Sequence, residues 1–374
     1  MRKITFIIIC LLIGISASAQ KKKKSKKNIP EISQVVQKKP LTHDVYDSWK
    51  EIPDKMISSD GSTVVYTLNP QEGDGKVMFH SLKNIKIDSV QRGTDIKLTD
   101  DAEFAIFKIK PQLELVKSMK RLKKKKDEMP KDSLGIYGLK NNQITKIPNF
   151  QNFKIPEKVG GWLAYQIEET KKIDIAKKKD TLAKSDTKKK IVKKESEENG
   201  YRLVLRNLKT NAEQKFSFVI DYEFAKNGES LVFSTTGNDS TMLSGVYVLD
   251  LQTNKLTNIL QSKGKFKKIS LSEDANQVAF IADLDTNIKT QIRLPKLYYW
   301  KLGEEKAKLL ADENQTFAPK NWLVSEHYQP RFSKDGTKLF FGTNPKPVVP
   351  DTTLLPDEIV NVEEIGRARV GKEC

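Results

Sequence analysis

The chain has 374 residues, a net charge of +18 and 37% hydrophobic residues, and its two cysteines, Cys10 and Cys374, stand near its extremes. That length supports a large core in one or two domains, and the cysteine positions exclude a scaffold stapled by disulfides. Nearly all of the excess charge sits in three lysine-rich segments, residues 21–27, 117–131 and 171–199. They are poor in the arginine and aromatic residues that grip phosphates bidentately or stack on bases, so no specific nucleic-acid partner is expected and only weak polyanion contact is assigned to them.

The first element in chain order is a targeting segment. Arg2 and Lys3 precede an apolar run over residues 4–15, and Ala17-Ser18-Ala19 offers a small-residue cleavage site. This pattern predicts a signal peptide over residues 1–19, cleaved near Ala19, and a secreted, periplasmic or cell-surface protein. The apolar run is too short for a membrane helix, and no later segment is long and apolar enough to span. A lipid anchor at Cys10 is disfavoured because isoleucines precede it where small residues are expected. Residues 20–40 are expected to be a basic, flexible linker.

From residue 41 to 362 one short pattern recurs. Asp60-Gly61, Asp101-Ala102, Asn227-Gly228, Asp274-Ala275 and Asp335-Gly336 are each followed, at one fixed spacing, by an aromatic residue: Tyr66, Phe107, Phe233, Phe280 and Phe341. A degenerate copy at Gly160-Gly161 leads to Tyr165. Asp or Asn before Gly suits the positive φ of a two-residue hairpin turn, and the runs that follow, such as "TVVYTL" and "SLVFST", are apolar on both faces, as for strands sandwiched between other sheets. A second pattern runs into Leu82, Leu139, Leu208, Leu251 and Leu302 and then into a polar turn and a weaker strand. The unit reads strand, turn, strand, loop, strand, turn, strand. The fold class is therefore all-β, a β-propeller of four-stranded antiparallel blades, incomplete at the carboxy terminus.

The lysine-rich inserts at 112–131 and 171–199 account for the long intervals from Phe107 to Leu139 and from Tyr165 to Leu208. Both fall between the second and third strands of their units, so both are expected to project from one face. Leu113, Val116, Met119 and Leu122 have helical spacing and predict a short helix, whereas 171–199 has too little apolar content to fold alone.

With these motifs in hand, "LTHDVYDSWKEI" leading into "ISSDGSTVVYTLNPQEGDG", the "FKIKPQLELVK" helix and "PRFSKDGTKLFFGTNP" resemble secreted bacterial members of the prolyl oligopeptidase family of serine peptidases. The resemblance implies an amino-terminal propeller that restricts access to the active site of an α/β-hydrolase domain, admitting peptides and excluding folded proteins. It also implies a serine in a G-x-S-x-G elbow, with an aspartate and a histidine. No G-x-S-x-G occurs here, and the histidines are only His43, His80 and His327. No catalytic, cofactor-binding or metal-binding residue is therefore assigned, and substrate-binding residues stay open. Glu168-Glu169 is a candidate for gripping a substrate amino terminus, as paired glutamates do in a related branch, but it is read as the end of a strand. Trp49, Trp162, Trp300 and Trp322 are read as packing residues.

After Phe341 comes a proline-rich loop, and residues 363–374 lack β alternation, so they are expected to be an out-of-frame or truncated tail. The expected function is the substrate-gating propeller of a peptidase whose catalytic domain is missing from this chain, inactive by itself. The alternative is a stand-alone periplasmic or cell-surface binding or scaffold module.

Overall fold

The computed structural model describes residues 42–168, 193–237, 242–287, 289–316 and 318–348. The expected signal peptide, basic linker and tail, and most of the second insert, lie outside them. The chain divides into two compact units, residues 1–46 and 47–374. In the first, residues 42–46 are described; they enter a 3-10 helix, His43–Ser48, where the rings of His43 and Tyr46 meet edge to face at 5.1 Å.

The second unit is a succession of antiparallel sheets. The first contains β1 (Lys50–Glu51), β2 (Lys55–Ile57), β3 (Thr63–Pro70), β4 (Lys76–Ser81) and β5 (Ile87–Gln91). Because β1 and β2 both pair with β3, they act as one interrupted strand. The second sheet is a meander of β6 (Gly93–Leu98), β7 (Phe104–Ile109), β8 (Ser133–Gly138) and β9 (Ile144–Ile147). Between β7 and β8 lies the helix α1 (Leu113–Arg121).

A seven-stranded sheet follows, made of β10 (Phe150–Lys154), β11 (Trp162–Ile167), β12 (Tyr201–Asn207), β13 (Glu213–Phe224), β14 (Ser230–Thr235), β15 (Gly245–Asp250) and β16 (Leu256–Gln261). It departs from the expected uniform four-stranded units, and the reason is β13. Its first half pairs with β12, its second half with β14, and Val219 is in register with both Tyr201 and Thr235. Phe218, at φ 56, bends the strand there. Gly200 makes room for the bend, since a Cβ on it would lie 2.5 Å from the Phe218 carbonyl carbon.

The next sheet contains β17 (Lys265–Leu271), β18 (Gln277–Asp283), β19 (Lys296–Lys301) and β20 (Lys308–Ala311). The last described strands, β21 (Trp322–Val324), β22 (Arg331–Phe332), β23 (Leu339–Phe340) and β24 (Thr343–Pro345), form two short pairs, β21 with β24 and β22 with β23. Among the described residues no sheet closes on itself.

Five apolar clusters hold this series together, one at each junction between a sheet or half-sheet and the next. Side chains alternate along each second strand: Phe107 and Ala105 pack toward the first sheet, whereas Ile106, between them, packs toward the third. Likewise Phe280 packs back toward β14–β16, and Ala279 and Ile281 pack forward. The double-faced apolar strands of the second, third and fourth sheets thus belong to sheets covered on both sides.

The Asp-Gly turns are not two-residue turns. Ser58 and Thr63 close a four-residue loop, with the Gly61 amide donating to the Ser58 carbonyl, and the bonds recur at Thr99/Phe104, Ala225/Ser230, Ser272/Gln277 and Ser333/Lys338. Only the residue after the Asp or Asn is left-handed, at Gly61, Ala102, Gly228, Ala275 and Gly336. An i to i+3 turn followed by one such residue needs a single positive φ, which is why Ala102 and Ala275 are tolerated. In the degenerate copy the positive φ falls on Gly161, and Gly160 is needed for close approach: a Cβ there would meet the Asp101 carboxylate at 2.0 Å.

Candidate functional site

The β3–β4, β7–β8, β11–β12 and β14–β15 loops gather at one end of the sheet series, linked by contacts from each to the next. In the β3–β4 loop, Glu72 pairs with Lys117 of α1, and Asp74 Oδ1 accepts the Leu113 amide at 3.1 Å, capping the helix from outside. At the far end of the same insert, Lys131 pairs with Glu168, where the second insert begins. Where the second insert ends, the Lys193 ammonium donates to the Thr236 carbonyl at 3.0 Å, the Gly237 carbonyl at 2.7 Å and Thr236 Oγ1 at 2.7 Å, and it lies 4.7 Å from the Phe218 ring centroid. Both inserts therefore leave and rejoin the sheets at the same end, as the strand order predicts.

The helix is amphipathic as read from the sequence, with Leu113, Val116 and Met119 partly buried. Leu122, 70% exposed, lies just beyond its end. Lys120, Arg121 and Lys123 to Lys126 are exposed around it. An exposed lysine cluster acts as solvated point charges, which attract anions weakly and lose that attraction as salt rises. Deeper in the same region, Lys108 lies 2.9 Å from Asp95 and 3.9 Å from Asp132. Burial is the largest influence on Asp132 and moves its pKa upward against the pull of Lys108.

The candidate residues from the sequence lie on different elements. His43 is exposed, His80 lies half-buried in β4, and His327 is exposed before β22; none hydrogen-bonds a serine hydroxyl through its ring among the described residues. Glu168 is occupied by Lys131 and by Gln151 at 3.4 Å, and Glu169 lies outside the described residues. Trp300 is buried, with its indole N–H donating to the Glu304 carbonyl at 2.8 Å. Trp162 packs on the cluster shared by the two halves of the seven-stranded sheet, Trp322 is half-buried in β21, and Trp49 is half-exposed. Among the described residues no three His, Cys, Asp or Glu side chains come together as metal ligands. No described helix is long and apolar enough to cross a membrane.

A small cleft between Phe79, Asp88, Tyr137 and Asn142 has room for roughly one water molecule. There the Tyr137 hydroxyl donates to Asp88 Oδ2 at 2.7 Å, and its ring stacks on Phe79 at 3.9 Å. Burial, then Asp88, holds the phenol well above its usual pKa. This is a packing feature that cannot admit a peptide. What the described residues offer chemically is a rim of linked loops bearing solvated cations, without a paired nucleophile and base. Sequence reasoning missed the Lys193 clamp, since that residue looks like its neighbours in a lysine-rich run.

No family model matches the chain, and no curated protein matches it. Among solved structures, it is similar to the β-propeller domain of the Trilobed protease from Pyrococcus furiosus, at 12% identity over 80% of this chain and 79% of that one, with a TM-score of 0.39. It is similar to an acylaminoacyl peptidase from Pyrococcus horikoshii at 8% identity, over 80% of this chain and 43% of that one, with a TM-score of 0.38. A TolB-like protein from Agrobacterium tumefaciens is similar at 10% identity over 70% of this chain and 81% of that one, with a TM-score of 0.33.

Proposed function

We propose that this chain supplies the access-restricting β-propeller of a secreted peptidase of the prolyl oligopeptidase type. The observation that carries the reading is the radial logic of the sheets. From the second sheet to the fourth, each sheet or half-sheet is apolar on both faces and sends its repeated aromatic into the one before it, and the β3–β4, β7–β8, β11–β12 and β14–β15 loops meet at one end. Twisted sheets stacked in that way form a wheel whose axis is a passage, and a narrow passage admits extended peptides while excluding folded proteins. The amino-terminal block and the "PRFSKDGTKLFFGTNP" segment support the peptidase assignment, and the targeting pattern of residues 1–19 supports an envelope or secreted location. Bond cleavage is assigned to an α/β-hydrolase domain rather than to the residues described here.

A stand-alone binding or scaffold module is the second reading, favoured by the separation of His43, His80 and His327 on different elements. Reading the source DNA beyond codon 374 in all three frames separates the two. A G-x-S-x-G elbow followed by an aspartate and a histidine supports the peptidase reading; unrelated DNA contradicts it. A fluorophosphonate probe is expected to leave the purified chain unlabelled, and specific labelling of one serine would overturn the assignment of gating without cleavage.

A further inference from the structure

Helix α1 stands on the rim without sinking a side chain into the core. None of its residues is buried, and none of the five apolar clusters includes one of them. It is tied down along one side, where Lys117 pairs with Glu72 and the Leu113 amide donates to Asp74. Leu115, Met119 and Leu122 follow one another at helical spacing, about half a turn of the helix away from Lys117. On that far side Leu115 is 46% and Leu122 70% exposed.

The chain leaving the helix has a defined geometry as well. The Lys124 amide donates to the Met119 carbonyl at 3.1 Å and the Lys123 amide to the Lys120 carbonyl at 2.9 Å, the paired bonds of a Schellman motif, with Lys123 left-handed at φ 51. That place favours glycine, and lysine there adds a charge at the cost of backbone strain. Around Leu122 the motif gathers Lys120, Arg121 and Lys123 to Lys126, all exposed. Of these cations only Lys124 has an ion-pair partner among the described residues, Glu128 at 3.5 Å.

We propose that this tip docks on the surface of a bilayer containing anionic phospholipid, with Leu115 and Leu122 entering the headgroup layer and the surrounding cations meeting lipid phosphates. Charge alone attracts any polyanion, whereas an exposed leucine pair ringed by cations gains by leaving water where an apolar interior lies beneath an anionic surface. A protein partner fits less well, because the cores of protein interfaces are depleted of lysine. Residues 21–27 and 171–190 are lysine-rich too, so like charge opposes either segment covering the tip. The proposal goes beyond the gating reading and does not depend on it.

The test is co-sedimentation of the full chain with vesicles of phosphatidylcholine alone and of equal parts phosphatidylcholine and phosphatidylglycerol, with retention on heparin measured alongside. The native chain is expected to bind the anionic vesicles and not the neutral ones. Leu122→Ser is expected to lower vesicle binding about tenfold and to leave retention on heparin unchanged. Lys123→Gly removes a charge while relieving the left-handed backbone, so it is expected to lower vesicle binding about fivefold without lowering the melting temperature. The emission of Leu122→Trp is expected to move to shorter wavelength on the anionic vesicles. A native chain that ignores anionic vesicles overturns the proposal. Binding that Leu122→Ser leaves unchanged also overturns it and reduces the contact to that of a soluble polyanion; binding insensitive to both substitutions overturns it and points to another lysine-rich segment.

Discussion

The amide of Leu251 donates to the carbonyl of Glu229 at 2.8 Å, tying the end of the third strand to the Asn227-Gly228 turn. The same bond joins Leu82 to Ser62, Leu139 to Glu103, Leu208 to Gly161 and Leu302 to Asn276. The side chains do not share a fate: Leu208 is buried, whereas Leu82 and Leu302 are exposed. The recurring leucine therefore marks a backbone register that aligns two turns at the same end of each sheet, rather than a recurring core contact.

Turn chemistry gives the first expectation. The Ser272 hydroxyl bridges Asp274 and the Gln277 amide, which donates to it at 3.0 Å. Ser272→Ala removes both bonds at a buried position and is expected to cost about 1–2 kcal/mol in urea unfolding. Ser217, by contrast, accepts through its backbone carbonyl from Thr235, so Ser217→Ala leaves that bond intact and is a suitable control.

The second concerns Ile85, at φ 51 and 81% exposed. Asn142, Asn211 and Asn254 take the corresponding left-handed place three residues after their leucines. A β-branched residue is strained there, so Ile85→Asn is expected to stabilise the protein by about 1 kcal/mol. An unchanged or lower unfolding midpoint would contradict this reading.

Acid behaviour gives the third. Hydrogen bonds hold the folded-state pKa of Asp60, Asp274 and Asp335 below the usual 3.8, with Ser58, Ser272 and Ser333 the largest influences respectively. A depressed carboxylate pKa contributes stability that is present above the unfolded value and is lost as pH falls through the folded one. Stability is thus expected to decline as pH drops below 3.8, and Ser272→Ala to make that decline shallower by raising the pKa of Asp274. Carboxyl chemical shifts followed by pH titration check both statements.

The fourth concerns the second insert, whose ends are held by Glu168 on Lys131 and by Lys193 on Thr236 and Gly237. Replacing residues 171–190 with a short Gly-Ser linker keeps both attachments. The melting temperature is expected to hold, whereas Lys193→Met, which leaves the two carbonyls without their donor, is expected to lower it.

Much of this architecture was legible because its signals are local. A turn residue and an aromatic a few positions later report a strand that is buried on both faces, and interval lengths report which loop holds an insert. The unread features depend on residues distant in sequence or on backbone angles without a residue signature. The bend in β13 falls on Phe218, which looks like an ordinary strand residue. The interrupted first strand, β1 with β2, shows only in its pairing to β3. The four-residue turn reads as a two-residue one because Asp-Gly suits both. At the loop end, Lys131 closes the first insert and Glu168 reads as the end of a strand, and nothing in either segment announces the other.

The most direct test of the account is the unfolding free energy of alanine variants at the repeated aromatic, measured at concentrations where the chain is monomeric. Phe107→Ala, Phe233→Ala and Phe280→Ala are expected to cost about 3–5 kcal/mol each, since each side chain fills a junction between sheets. Tyr66→Ala, half-buried on the first sheet, is expected to cost about 1 kcal/mol or less. Equal losses at all four positions would contradict a directional series of sheets in which, among the described residues, the first has no sheet before it.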